Sequence, residues 1–199
     1  MGGHRFRFEE RHRLDSPERL ERQPAAPLVE LLAAAPAGPV LDIGAGTGYF
    51  SLPLALDQPD RLITALDAVP AMSALLARRI RRTRIRSVAC LVAQAGGHEP
   101  LPFSDGAFAA AVSVNVLHEL RDLPSALHEV ERILGPEGLL VLCDWSPDGD
   151  PSSGPRPSHR IPAEVIEQHL AARRWRDIQH PEHYRDHWIV TARHPGSRT

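Results

Sequence analysis

The chain has 199 residues, 42% hydrophobic and 24% charged, which is enough for one globular domain with short additions and one sizeable core. With a formal net charge of -2, a general affinity for nucleic acid is not expected. All 23 basic residues are arginine, which excludes lysine chemistry such as a Schiff base or a P-loop lysine.

Residues 4 to 22 mix arginine with acids and carry Phe6 and Phe8. They read as a solvated helical arm with anchoring aromatics or, alternatively, as a lid over a site. Ser16-Pro17-Glu18 is a helix start, and Pro27 opens a short apolar helix that Pro36 and Gly38 end. A rhythm of strands and helices then begins. PVLDIG, RLITALD, SVACLVAQ, FAAAVSVNV and LLVLCDW are predicted strands. Tyr49 to Leu56, PAMSALLARRIRR and LPSALHEVERIL are predicted helices, and Gly135-Pro136-Glu137-Gly138 is a predicted turn. Alternating strands and helices imply right-handed βαβ units around a parallel sheet, and uniformly apolar strands imply helices on both faces.

Residues 146 to 162 are rich in Pro, Ser and Gly and read as a long surface loop. A further helix follows in PAEVIEQHLAARRW, and WRDIQHPEHYRDHWIVTAR reads as two antiparallel strands joined by a short turn. The division predicted is a helical arm or lid over residues 1 to 36 and one domain over residues 37 to 199. Cys90 and Cys143 lie in apolar runs and read as small buried hydrophobes, not a disulfide pair. The first residues have no apolar signal core, and nowhere are about 18 apolar residues consecutive. A cytoplasmic protein without a membrane partner is expected.

Gly44, Gly46 and Gly48 stand between the first strand and a helix, the context of a nucleotide-cofactor loop. Their spacing does not suit a dinucleotide, because G-x-G-x-x-G needs glycine where Tyr49 stands. Asp42 at the mouth of the turn repels a pyrophosphate and favours a cation. S-adenosyl-L-methionine, a sulfonium with an α-ammonium and no phosphate, suits that field. Asp67 ends the second strand, where a carboxylate accepts bonds from ribose hydroxyls. It also reads as an acid ahead of the helix that Pro70 opens. Ala68, Val69 and Met72 are placed to pack on an adenine.

The stretches VLDIGAGTGYFSLPLA, ALDAVPAMSALL, PLPFSDGAFAAAVSVNVLHELRD and ALHEVERILGPEGLLVLCDW resemble, in order and spacing, the class I S-adenosylmethionine-dependent methyltransferases. The likeness is to the type 11 group that includes ubiquinone/menaquinone-biosynthesis-like enzymes. The resemblance implies an α/β, Rossmann-like, mostly parallel seven-stranded sheet with a C-terminal antiparallel hairpin. It implies that Asp42, Gly44, Gly46 and Gly48 lie under the methionine part of the cofactor, that Asp67 is the ribose acid, and that Asn115 and Val116 face the cofactor. Many relatives carry an adenine-binding acid after the third strand. Here Gly97 takes that place, with His98 beside it and Gln94 nearby, a departure from the pattern.

Methyl transfer requires alignment and exclusion of water, and a base only where the nucleophile holds its proton tightly. His118, just beyond the fourth strand, is the candidate base, or else a capping or packing histidine; Glu119 is adjacent. Asp144 and Trp145 end the fifth strand at the same edge and are candidates for the acceptor pocket, or else a strand-end acid and a core indole. His180, His183 and His187 have a metal-like spacing, but Pro181 and the β pattern argue against a helix there, so no metal is expected. The expected activity is methyl transfer to a small-molecule acceptor, its identity and the oligomeric state being open. A non-catalytic S-adenosylmethionine-binding module is the alternative, and an NAD(P)-linked oxidoreductase is disfavoured by the loop spacing and Asp42.

Overall fold

The computed structural model describes residues 8–97 and 99–196. Phe6 and His98 lie outside the described residues. Seven strands form one sheet: β1 (Val40–Ile43), β2 (Ile63–Asp67), β3 (Val88–Val92), β4 (Phe108–Val114), β5 (Leu134–Trp145), β6 (Arg176–Gln179) and β7 (His187–Arg193). Their order is β3-β2-β1-β4-β5-β7-β6. The first five run parallel, while β7 pairs antiparallel with both β5 and β6. Apolar strands alternating with helices build this doubly covered sheet, as the sequence pattern predicts.

Six α-helices accompany the sheet among the described residues: α1 (Pro17–Arg22), α2 (Ala26–Ala33), α3 (Ser51–Asp57), α4 (Pro70–Arg81), α5 (Leu123–Ile133) and α6 (Ala163–Ala172). One buried cluster joins Leu28 and Leu32 of α2, Leu54 of α3 and Leu76 of α4 to Val40. The other joins Leu127 and Ile133 of α5 and Ile166 and Leu170 of α6 to Leu41 and Ile43. The split follows from the strand's period of two: Val40 points to one face, Leu41 and Ile43 to the other. On the first face Asp42 meets α3. Truncating a fully buried leucine such as Leu41 to alanine costs about 2–5 kcal/mol.

Three local expectations need correction. Gly135 to Gly138 are not a turn ahead of the fifth strand but an excursion within β5: Leu134 pairs with Phe108 and Leu139 with Ala110, and Glu137 adopts φ 62°. Sheet pairing resumes beyond the excursion, so the turn residues act as a bulge. Cys90 is only half-buried, because β3 is the sheet's edge and its outer residues reach solvent; Cys143, in the sheet interior, is fully buried. The link between β6 and β7 spans residues 180–186, longer than a tight turn, and the Tyr184 hydroxyl within it donates to the Pro24 carbonyl at 2.7 Å.

The loop after Trp145 is on the surface, but its backbone is gathered around one buried side chain. The Arg160 guanidinium donates to the carbonyls of Ser146, Gly149, Asp150, Ser153 and Pro155 at 2.5–3.0 Å. Five acceptors satisfy a buried cation without a carboxylate. Among the described residues, no helix is long and apolar enough to cross a membrane.

Candidate active site

The carboxyl ends of β1, β2, β4 and β5 converge on one edge of the sheet. After β1 the chain turns sharply through Gly44, Gly46 and Gly48, all with positive φ of 54–85°. Two of these positions also forbid a side chain. A Cβ on Gly44 would lie 2.2 Å from a Val116 methyl, and one on Gly48 would lie 2.3 Å from a Leu76 methyl. The loop therefore runs close against β4's exit and α4 with its backbone uncovered.

Asp67 braces this loop. Its carboxylate accepts the Gly46 N–H and the Val69 N–H, each at 2.8 Å, so it ties the glycine turn to the end of β2 and the entry of α4. The bond to the Val69 N–H is that of a helix-entry acid, and the carboxylate also lines the crevice, where the other reading places a ribose. Asp42 is buried and accepts a 2.5 Å bond from the Ser51 hydroxyl on α3. Burial pushes its pKa up to about 6, partly countered by Ser51, and Asp67 adds repulsion.

A crevice of about 130 Å³ lies on the glycine loop, lined by Asp42, Gly44, Gly46, Asp67, Ala68, Val69, Met72, Asn115, Val116 and others. Gly48 packs beneath the loop instead of lining it, against Leu76. Gly97 is exposed and outside the crevice, as is Gln94, so the structure does not bring the third-strand exit into contact with this space. Asn115 has φ 59°, a conformation that Asn tolerates better than most residues, and it exchanges hydrogen bonds with Gln23.

A second cavity of about 850 Å³ adjoins the crevice; Leu14, Arg19, Asn115 and Glu119 line both. His118 faces this larger space. Its Nδ1 lies 2.7 Å from Asp144 Oδ1, and its backbone N–H donates to Asp144 Oδ2 at 3.2 Å. The carboxylate fixes the ring with Nδ1–H as donor, which leaves the lone pair on Nε2, 3.8 Å from Glu119 Oε1. Burial pulls the imidazole pKa down. The bond and charge of Asp144, together with Glu119, outweigh this and leave it above the ordinary histidine value.

Asp144 itself lines neither cavity. It is fully buried, and its oxygens are engaged by His118 and by the Trp145 N–H at 2.7 Å. It orients His118 from behind; of the two sequence readings, acceptor-pocket anchor and strand-end acid, this position matches the second. Trp145 does line the larger cavity, with the Gly154 backbone against its ring and the His187 ring beside it, centroids 4.1 Å apart and planes tilted by 39°.

Sequence reasoning missed several residues here. His187, weighed only as a metal ligand, is buried and lines the larger cavity. Neither ring nitrogen has a partner among the described residues, and burial pushes its pKa down to about 4. Only the register, which sets Trp145 opposite His187, reveals its place. His180 instead lies 3.4 Å from Glu167, and His183 is exposed. Among the described residues no group of three His, Cys, Asp or Glu is placed to hold a metal.

The arm also contributes. Ser16 caps α1 through the Arg19 N–H, and Asp15 accepts from Thr47 at 2.8 Å and pairs with Arg79 at 2.6 Å. Leu14 lies above Gly46, where a Cβ would be 3.3 Å away. The arm's outer face is exposed, while Leu14 and Arg19 on its inner face border both cavities.

Comparison with known proteins agrees with this geometry. The family model described as "Methyltransferase domain" matches residues 41–142. A malonyl-[acyl-carrier protein] O-methyltransferase of Halorhodospira halophila is 34% identical over 141 residues, covering 68% of this chain and 45% of the relative. A demethylmenaquinone methyltransferase of Thermus thermophilus is 36% identical over 108 residues, covering 54% and 47%. The chain spans about half the length of these relatives. The crystal structure of a SAM-dependent methyltransferase from Aquifex aeolicus superposes with a TM-score of 0.85 at 20% identity, covering 96% of this chain and 100% of that one, which shows the fold. With just over half its length matched by the family model, and with this sheet, glycine turn and strand-end acids, the chain belongs to the class I S-adenosylmethionine-dependent methyltransferases of the type 11 group.

Proposed function

We propose that the chain transfers a methyl group from S-adenosylmethionine to a small-molecule acceptor, with His118 as the base. The observation that carries this reading is the His118–Asp144 pair, set at the wall of an 850 Å³ cavity that adjoins the glycine-loop crevice. A net charge of -2 supports a small acceptor over nucleic acid, and two isolated, unbonded cysteines support a cytoplasmic location.

The crevice residues suit the donor. Its bare glycine backbone allows close approach, and it is lined by Asp42 and Asp67 without any phosphate-binding lysine. Asp67, at the end of β2 on the crevice wall, is a carboxylate of the kind that accepts from ribose hydroxyls, and Asp42 supplies negative charge near a cation. S-adenosylmethionine, when bound, supplies an electrophilic methyl group on a sulfonium.

The remaining work falls to the protein's own side chains. Asp144 holds Nδ1–H, so His118 Nε2 accepts the acceptor's proton as its nucleophile develops; the Asp144 charge stabilises the resulting imidazolium. Trp145 and the 154–159 segment wall the cavity against water. The arm acts as a lid in this reading: Leu14 narrows the crevice, Asp15 latches the arm to Thr47 and Arg79, and its displacement admits the donor.

The two relatives named above make a malonyl thioester and a demethylmenaquinone analogue the first acceptors to assay. The full chain should release S-adenosylhomocysteine only when an acceptor is present, and His118→Ala should slow release by about 10²–10⁴-fold at unchanged S-adenosylhomocysteine affinity. A variant as fast as the parent would leave His118 a packing residue. The non-catalytic alternative rests on the Gly97 departure alone, and the ordered His118–Asp144 pair weighs against it.

A further inference from the structure

Arg19 is a half-buried cation that forms no ion pair among the described residues. Its Nη1 donates to the Leu14 carbonyl at 3.1 Å, and its guanidinium lies 4.2 Å from the Tyr49 ring centroid. Its Nε is shielded from solvent and has no hydrogen-bond partner among the described residues. Burial holds this guanidinium below its ordinary value. A shielded N–H donor left without an acceptor is costly, and a ligand acceptor that completes the bond removes that cost.

Location narrows the choice of ligand. Arg19 is the basic side chain lining the glycine-loop crevice among the described residues; the other charged residues there are Asp42, Asp67 and Glu119. The donor assigned to this crevice ends in an amino acid, which brings one positive and one negative group. Three carboxylates suit the ammonium, the sulfonium and the ribose, and none suits the carboxylate. We infer that Arg19 is a carboxylate-binding residue whose partner is the amino-acid carboxylate of S-adenosylmethionine, so that the arm forms part of the donor site. This inference rests on the proposed donor reading. Arg19 also borders the larger cavity, so a carboxylate on the acceptor is the other source of the same chemistry.

Calorimetry on the full chain separates these cases without any turnover. Two donors are compared, S-adenosylmethionine and its decarboxylated form, which keeps the sulfonium and ammonium but lacks the carboxylate. The parent should bind the decarboxylated donor about 10–100-fold more weakly, the range of one charge-assisted bond. Arg19→Gln should lose a similar factor for S-adenosylmethionine and almost nothing for the decarboxylated donor, and Arg19→Lys should recover part of the loss. Equal affinity of the parent for both donors would overturn the inference even if the variants failed to fold. So would equal losses for both donors in Arg19→Gln. Arg19-dependent binding of benzoate to the S-adenosylhomocysteine-saturated protein would overturn the donor assignment and give Arg19 to the acceptor. No binding of either donor by the parent would instead remove the donor reading itself.

Discussion

The crevice and the larger cavity meet at the same sheet edge but are built differently. The crevice comes mostly from two short stretches, residues 42–50 at the β1 exit and residues 67–72 at the β2 exit. Its shape is set by backbone: positive φ at the glycines and N–H groups tied to Asp67. The larger cavity draws on the arm, the β4 and β5 exits, the 154–159 segment and β7. Its shape is set by side chains brought together from distant sequence. The crevice is thus a fixed module, whereas each wall of the larger cavity is free to vary separately.

Substitutions can break this contrast. The largest effect is expected from Asp67→Asn, since it removes charge-assisted bonds to the ribose and weakens the brace on Gly46. We expect affinity for S-adenosylhomocysteine to fall by about 10–100-fold, and calorimetry showing no change would remove Asp67 from the donor site. A smaller, kinetic effect is expected from Asp15→Ala. Without the latch to Thr47 and Arg79, stopped-flow release of S-adenosylhomocysteine should quicken several-fold, with stability changed by less than about 1 kcal/mol because the pair is partly exposed. Release at the parental rate would mean that the arm does not gate the crevice.

The smallest effect concerns Asp42 and pH. Folding raises its pKa from 3.8 to about 6 through burial. Between those values the folded chain keeps a proton that the unfolded chain has released. The stability this group contributes is therefore full below about pH 4 and lost as pH rises through about 6. Asp42→Asn should flatten that part of the stability curve and raise the apo melting temperature near pH 7 by a few degrees, at about 1 kcal/mol of net gain, while weakening S-adenosylmethionine binding. A melting curve with unchanged pH slope would show that Asp42 ionises as freely as a surface acid.

Much of the crevice was legible in the sequence because its determinants are local. Gly44 and Gly46 announce backbone that other residues cannot follow, and a strand-glycine-helix order announces where that backbone lies. His118 and Trp145 were legible as strand-exit residues on the same edge. What local pattern could not convey was direction. Asp144 alternates with Cys143 and Trp145 like any strand residue, and only the packing of β5 shows that it points behind His118 instead of into the cavity.

By itself the sequence determined the parallel βαβ core, the terminal antiparallel strands and the chemistry of the glycine turn, since hydrophobic period and glycine geometry act over a few residues. The tertiary structure alone decided that Gln23 meets Asn115 across 92 positions, that β7 sets His187 against Trp145, that Arg160 gathers its loop, and that Arg19 comes to rest on the crevice with its Nε unpartnered among the described residues. Those contacts join segments whose separate patterns are those of ordinary strands, loops and charged helices. Their meaning arises when folding removes water from between them and leaves each polar group to find a partner or to lack one.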